Sequence, residues 1–137
     1  ISDIMYYIKF IMKKNLLKLS EYLYYFSLVV LFIIYLFPGS LIGFLLYGDA
    51  GKQPNLINNP IGTSLNHFFF FVYLSILAVI FNLKKVLIYN SFYFVLLLSI
   101  LLEISHFFIP NRAFETYDLI ANMAGGIVVF LIKKKFK

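Results

Sequence analysis

Between Glu103 and Asn122 the chain gathers the carboxylates Glu103, Glu115 and Asp118, its single arginine Arg112, the imidazole of His106 and the Asn122 amide. A guanidinium fork can hold a carboxylate or phosphate through two parallel hydrogen bonds, which a lysine cannot copy. A carboxylate beside an imidazole can act as general acid and base. Imidazoles with carboxylates also suit zinc or manganese. Glu103 and His106 are three residues apart, and Asp118 and Asn122 four apart, so each pair shares a helix face. The intervening turn at Pro110 is short, which makes the two helices antiparallel neighbours and brings the pairs together. His67 opens another apolar segment, at the same expected depth. The candidate binding constellation is therefore His67, Glu103, His106, Arg112, Asp118 and Asn122. If the protein is an enzyme, Glu103 or His106 is the candidate general base, and Arg112 the stabiliser of developing negative charge. No HExxH spacing accompanies the histidines, so no metal and no cofactor is assigned.

The surroundings of these groups are hydrocarbon. The chain of 137 residues is 62% apolar and 13% charged, with mean hydropathy +0.89. A soluble domain is nearer half apolar and a quarter charged, so an integral membrane protein is expected. Charged groups are costly in a bilayer and mark working sites there. Cysteine is absent, which removes disulfides, thiol nucleophiles and thiolate metal sites. The net charge of +6 comes from eleven lysines and one arginine against six acids. Those lysines flank apolar runs and do not line one soluble face, which excludes nucleic acid and points to anionic lipid.

Crossing a bilayer takes about 20 apolar residues in a helix. Four spans are expected, near residues 22–37, 65–83, 86–109 and 117–132. Pro38-Gly39 ends or kinks the first. Leu41 to Tyr47 either extends it or re-enters the membrane, and a polar loop follows to Ser64. Continuous apolar runs without period-2 alternation argue against a β-barrel. Residues 1–20 carry apolar side chains on one side and lysines on the other, as an interfacial helix would. The expected fold is thus all-α: a four-span domain over residues 21–137, preceded by an interfacial amphipathic helix. Lys9, Lys13, Lys14, Lys18, Lys84, Lys85, Lys133, Lys134, Lys135 and Lys137 fall on one side of this hairpin. The positive-inside rule puts both termini in the cytoplasm of a bacterial-type plasma membrane and the polar cluster outside. Pro38 and Pro110 are read as structural. So are Ala121 and Gly125, whose i, i+4 spacing lets helix backbones approach. Tyr6, Tyr7, Tyr22, Tyr24, Tyr25, Tyr35 and Tyr47 read as interface-belt and packing residues.

The run Glu103, His106, Pro110, Arg112, Glu115, Asp118, Asn122 and Gly125 resembles the pattern of the VanZ-like family of small membrane proteins. Pro38 and the His67-Phe68 pair fit the same layout, and the resemblance covers roughly residues 22–132. Two positions depart from it. His106 stands where the family usually carries glutamine, and Thr63-Ser64 where it carries an Asp-Lys pair. The resemblance implies a cell-envelope protein, with the family's namesake linked to teicoplanin resistance, and implies no established reaction.

Three functions compete. The leading one is an outward pocket for an anionic group: a lipid-linked cell-wall intermediate, a lipid head group or a glycopeptide-type compound. The alternative is a membrane hydrolase or transferase acting on a lipid-linked substrate. A proton-coupled carrier is the third and would require oligomerisation, on which the sequence is silent. Nucleic acid is not an expected partner; membrane lipid is, and an oligomer is left open.

Overall fold

A computed structural model describes residues 2–54, 62–82 and 91–135. Among these the elements are helices α1 (Ser2–Leu36), α2 (Leu41–Tyr47), α3 (Gly62–Asn82), α4 (Ser91–Ser105) and α5 (Thr116–Lys135), with no strand. Lys84, Lys85, Lys137 and the start of the expected third span lie outside the described residues. Three helices are long and apolar enough to cross a membrane, Ile4–Leu36, Gly62–Ile80 and Thr116–Lys135, and Tyr93–Ser105 is a shorter apolar helix. At 1.5 Å per residue α3 and α5 each reach about 30 Å, the thickness of a bilayer core.

Each long helix buries one narrow stripe and turns the rest of its apolar surface outward. On α1 the stripe is Ser20, Tyr24, Ser27, Leu31 and Tyr35. Phe71, Leu74, Ser75 and Ala78 form it on α3, Val95, Leu98, Ser99 and Leu102 on α4, and Gly125, Gly126 and Val129 on α5. The three- and four-residue steps are those that keep side chains on one helical face. Large apolar residues such as Phe26, Leu45, Leu97, Leu101 and Leu131 are exposed on the outside. In water that surface would drive aggregation; lipid solvates it.

Helix α5 lies closest to α3, because Gly125 faces α3 backbone: a Cβ there would sit 2.5 Å from the Phe68 carbonyl oxygen and 3.0 Å from the Val72 nitrogen. Bonds from Tyr35 near the end of α1 to His67 and Asn122 near the starts of α3 and α5 fix the directions. α1 and α4 run one way, α3 and α5 the other. One end of the bundle is therefore polar, and the lysines of α1 and of the last turn of α5 occupy the opposite end.

Two features differ from the expectation. Residues 2–36 form a single continuous helix, with no break between the expected interfacial segment and the first span. No glycine or proline interrupts that stretch, so nothing local stops the helix. The third span stops as a helix at Ser105, four residues short of Ile109. There the amides of His106, Phe107 and Phe108 bond back three residues, tightening the chain into a turn before Pro110. Asn111 then takes φ 57°, a left-handed conformation that asparagine tolerates.

Candidate functional site

At the polar end, the four buried stripes change from hydrocarbon to hydrogen-bonding side chains. Glu103 and Asn122 are fully buried, and His106, Asp118, Ser64 and Tyr35 nearly so. They form one chain of contacts across the bundle. The Ser64 hydroxyl donates to Asp118 Oδ1 at 2.5 Å, and Asp118 Oδ2 lies 3.5 Å from Nε2 of His67. His67 Nδ1 is 2.6 Å from the Tyr35 hydroxyl, which also donates to Asn122 Oδ1 at 3.1 Å. The Asn122 amide donates to Glu103 Oε2 at 3.5 Å. Glu103 Oε1 accepts the Glu115 backbone N–H at 3.2 Å and lies 3.3 Å from Nδ1 of His106. The His106 ring stacks on Tyr35 with centroids 5.3 Å apart.

Donor and acceptor types restrict how protons sit in this chain. Asn122 spends its amide on Glu103, so its oxygen is an acceptor facing Tyr35 and His67. With Nε2 of His67 directed at Asp118, a neutral ring accepts the tyrosine proton at Nδ1. A protonated ring instead donates from Nδ1 and releases the tyrosine proton to Asn122. The network accommodates both states by moving one hydrogen.

Ser64, His67 and Asp118 are the residue types of a nucleophilic triad, but in the wrong order. The carboxylate stands between serine and histidine, so the serine proton goes to an acid and no imidazole activates the hydroxyl. Among the described residues, no three His, Asp or Glu side chains are arranged to hold a metal ion.

Arg112 is held by a different device. In an α-helix the carbonyl of Ile34 would accept from the amide of residue 38, but Pro38 has no N–H. The Arg112 guanidinium supplies the missing donor: Nη2 bonds the Ile34 carbonyl at 2.6 Å, and Nε bonds the Phe37 carbonyl at 3.3 Å. Proline and arginine are thus one unit, which positions the cation over the end of α1. Its Nη1 has no acceptor among the described residues. Burial pulls the guanidinium below its ordinary pKa, while Tyr35, Glu103 and Asp118 nearby oppose that shift; an arginine side chain stays a cation in proteins. Glu115 moves the other way: desolvation, then the charges of Asp118 and Glu103, push its carboxyl up.

A cavity of about 130 Å³, open on one side, lies between α1, α2 and α3 at this end. Tyr35, Asn66, His67 and Arg112 line it together with apolar Leu31, Ile34, Ile42 and Phe70. The six candidates therefore separate into two sets. His67 and Arg112 reach the cavity wall, whereas Glu103, His106, Asp118 and Asn122 are packed behind it. The loop from α2 closes one side, with Ser40 capping α2 through Gly43 and the Asn66 side chain donating to the Pro54 carbonyl at 2.6 Å.

The chain matches the VanZ/LLP1 family model over residues 5–137, nearly its whole length. It belongs to the VanZ/LLP1 family. Neither a curated protein nor a solved structure matches it significantly. Family membership and the apolar helices together make this a multi-pass membrane protein. In this VanZ/LLP1 chain, Pro38 and Arg112 meet through a backbone carbonyl, although 73 residues separate them along the chain by the numbering.

Sequence reasoning left two members of the site out. Tyr35, read as a belt or packing residue, is instead the hub that joins α1 to α3 and α5. Ser64, noted only as a departure from the family pattern, holds Asp118. Removing the tyrosine hydroxyl in Tyr35→Phe leaves His67 and Asn122 without that partner. Hydrogen bonds between membrane helices average about 0.6 kcal/mol, so a loss of about 1–2 kcal/mol is expected for this doubly bonded hydroxyl. Steric-trapping measurements of unfolding in bilayer discs would read it.

Proposed function

We propose that this VanZ/LLP1 protein is a cell-envelope factor whose polar end faces outward and binds an anionic group carried by a lipid, a lipid-linked cell-wall intermediate or a glycopeptide-type compound. The observation that carries this reading is the position of Arg112 on a cavity wall, with donors left over after it has capped α1. A charge-assisted bond there gains strength from partial desolvation. The acids that could cancel the cation sit behind the wall, where the Asn122 amide, the Glu115 N–H and the His106 ring surround Glu103, and Ser64 with His67 engages Asp118. For the alternative reading as a hydrolase or transferase, Glu103 or His106 would have to reach substrate. Neither lines the cavity, so geometry favours binding over turnover.

The orientation follows from charge. Lys9, Lys13, Lys14 and Lys18 on α1, with Lys133, Lys134 and Lys135 on α5, lie at the end away from the cavity. The positive-inside rule assigns that end to the cytoplasm of the plasma membrane.

Native mass spectrometry of protein extracted from membranes tests the reading. Wild type is expected to retain one anionic molecule per chain. Arg112→Lys cannot reproduce a planar fork that meets two carbonyls and a ligand at once, and should lower occupancy about tenfold. Arg112→Ala should abolish it. Equal retention by all three proteins would remove Arg112 from the binding site.

A further inference from the structure

The size and grading of the cavity say more about the ligand, on the premise that the cavity binds an anion. We propose that the occupant is the phosphodiester of an anionic membrane phospholipid, one whose head group adds no cation to it, with the first part of its tail lying in the same cavity. Three observations converge on that class.

The first is volume. The cavity, at about 130 Å³ and open on one side, is small enough that only a compact group sits wholly inside it. One phosphodiester with a short piece of glycerol or chain is accommodated, whereas most of a sugar chain or a glycopeptide would extend through the open side. Anything larger must lie outside, through the open side.

The second is the direction of the polarity gradient. Tyr35 and His67 stand at one level of the wall, and Asn66 precedes His67 on α3. One helical turn toward the middle of the bundle the lining becomes Leu31 on α1, four residues before Tyr35, and Phe70 on α3, three residues after His67. Ile34 and Ile42 continue the apolar side. A free hydrated anion gains nothing from that lower half, whereas a lipid places its head at Arg112 and a methylene segment along Leu31 and Phe70. Each buried methylene contributes on the order of half a tenfold step in affinity.

The third is charge. Arg112 is the one permanent cation among the described lining residues, and Glu103 and Asp118 lie near it. A second negative charge on the ligand would find no further fixed cation among the described lining residues and would meet those acids instead. One negative charge is matched; a pyrophosphate is not.

The full chain, purified in a neutral maltoside detergent, can be titrated with four probes at concentrations below their micelle limits. Dihexanoylphosphatidylglycerol carries one charge and two short tails. Dihexanoylphosphatidylcholine has the same tails without net charge, inorganic phosphate has charge without a tail, and farnesyl pyrophosphate has a tail with more charge. Phosphatidylglycerol is expected to bind one per chain, about tenfold or more tighter than any of the other three. Ile34→Gln, at a half-buried lining position, should weaken phosphatidylglycerol severalfold, with helicity by circular dichroism confirming the fold. If phosphate or farnesyl pyrophosphate equals or exceeds phosphatidylglycerol, the phospholipid assignment is overturned while the anion pocket stands. If phosphatidylcholine binds as tightly as phosphatidylglycerol, net charge is not what is recognised and the anionic-phospholipid assignment is overturned; if no anion binds, the anion pocket itself fails and this assignment with it.

Discussion

Glu103→Ala is expected to lose about 3 kcal/mol of folding stability, the largest single effect at the polar end. The reason lies in what is left behind. Glu103 is fully buried and serves the Asn122 amide, the Glu115 backbone N–H and the His106 ring. Summing hydrogen bonds at the membrane average would give only about 2 kcal/mol. Alanine also strands those donors in a fully buried site, at about 1–3 kcal/mol for each that finds no new partner. Repacking around the smaller side chain recovers part of this, so the estimate sits at the low end of the sum. Glu103→Gln keeps the shape and one carbonyl oxygen and should cost about half as much. Stability of both variants can be read by steric trapping in bilayer discs. An alanine variant as stable as wild type would mean that the carboxylate is not an organising centre.

Gly125→Val should separate α5 from α3 and dismantle the site with it. A Cβ at this position would lie 2.5 Å from the Phe68 carbonyl oxygen, 3.0 Å from the Val72 nitrogen and 3.1 Å from Phe71 Cβ. Two of those atoms belong to backbone, so no rotamer change relieves the clash. Overpacking of this kind costs about 1–3 kcal/mol or more, above the roughly 0.3–0.5 kcal/mol of helix propensity gained by replacing glycine with β-branched valine. Separation would also pull Asp118 and Asn122 on α5 away from Ser64 and His67 on α3. Gly126 is the control. There the nearest atom is Leu96 Cδ2 at 2.8 Å, the tip of a flexible side chain, and Gly126→Ala should cost less than about 1 kcal/mol. Equal tolerance at the two positions would contradict the close approach of α5 and α3.

The helices were legible in the sequence because lipid demands long apolar runs, and the polar cluster because charge inside such runs is rare. Two kinds of feature were not. Hydropathy locates the edge of a membrane and not the end of a helix, so it divided α1 where the backbone has no reason to stop. It likewise extended the third span past Ser105, where the approach to Pro110 forces a turn. Side-chain roles were missed where residue type misleads. A tyrosine within an apolar run looks like an interface anchor. Yet Tyr35 continues the stripe of Ser20, Tyr24, Ser27 and Leu31 in steps of three and four, and small polar residues on a stripe mark the buried side of a membrane helix. That spacing was the available signal. The pairing of Pro38 with Arg112 had none, since its acceptor is a backbone carbonyl that sequence does not display.

The single arginine makes the central claim directly measurable. With arginine alone labelled by ¹⁵N, every guanidinium signal in the protein comes from Arg112. Rotational-echo double resonance between that nitrogen and lipid ³¹P in bilayers containing phosphatidylglycerol reports whether a phosphate sits at the cavity wall. A hydrogen-bonded pair predicts dephasing that corresponds to about 4 Å, weakened in bilayers of phosphatidylcholine alone. Absence of dephasing in both bilayers, with the Arg112 resonances resolved, would contradict an anion at Arg112.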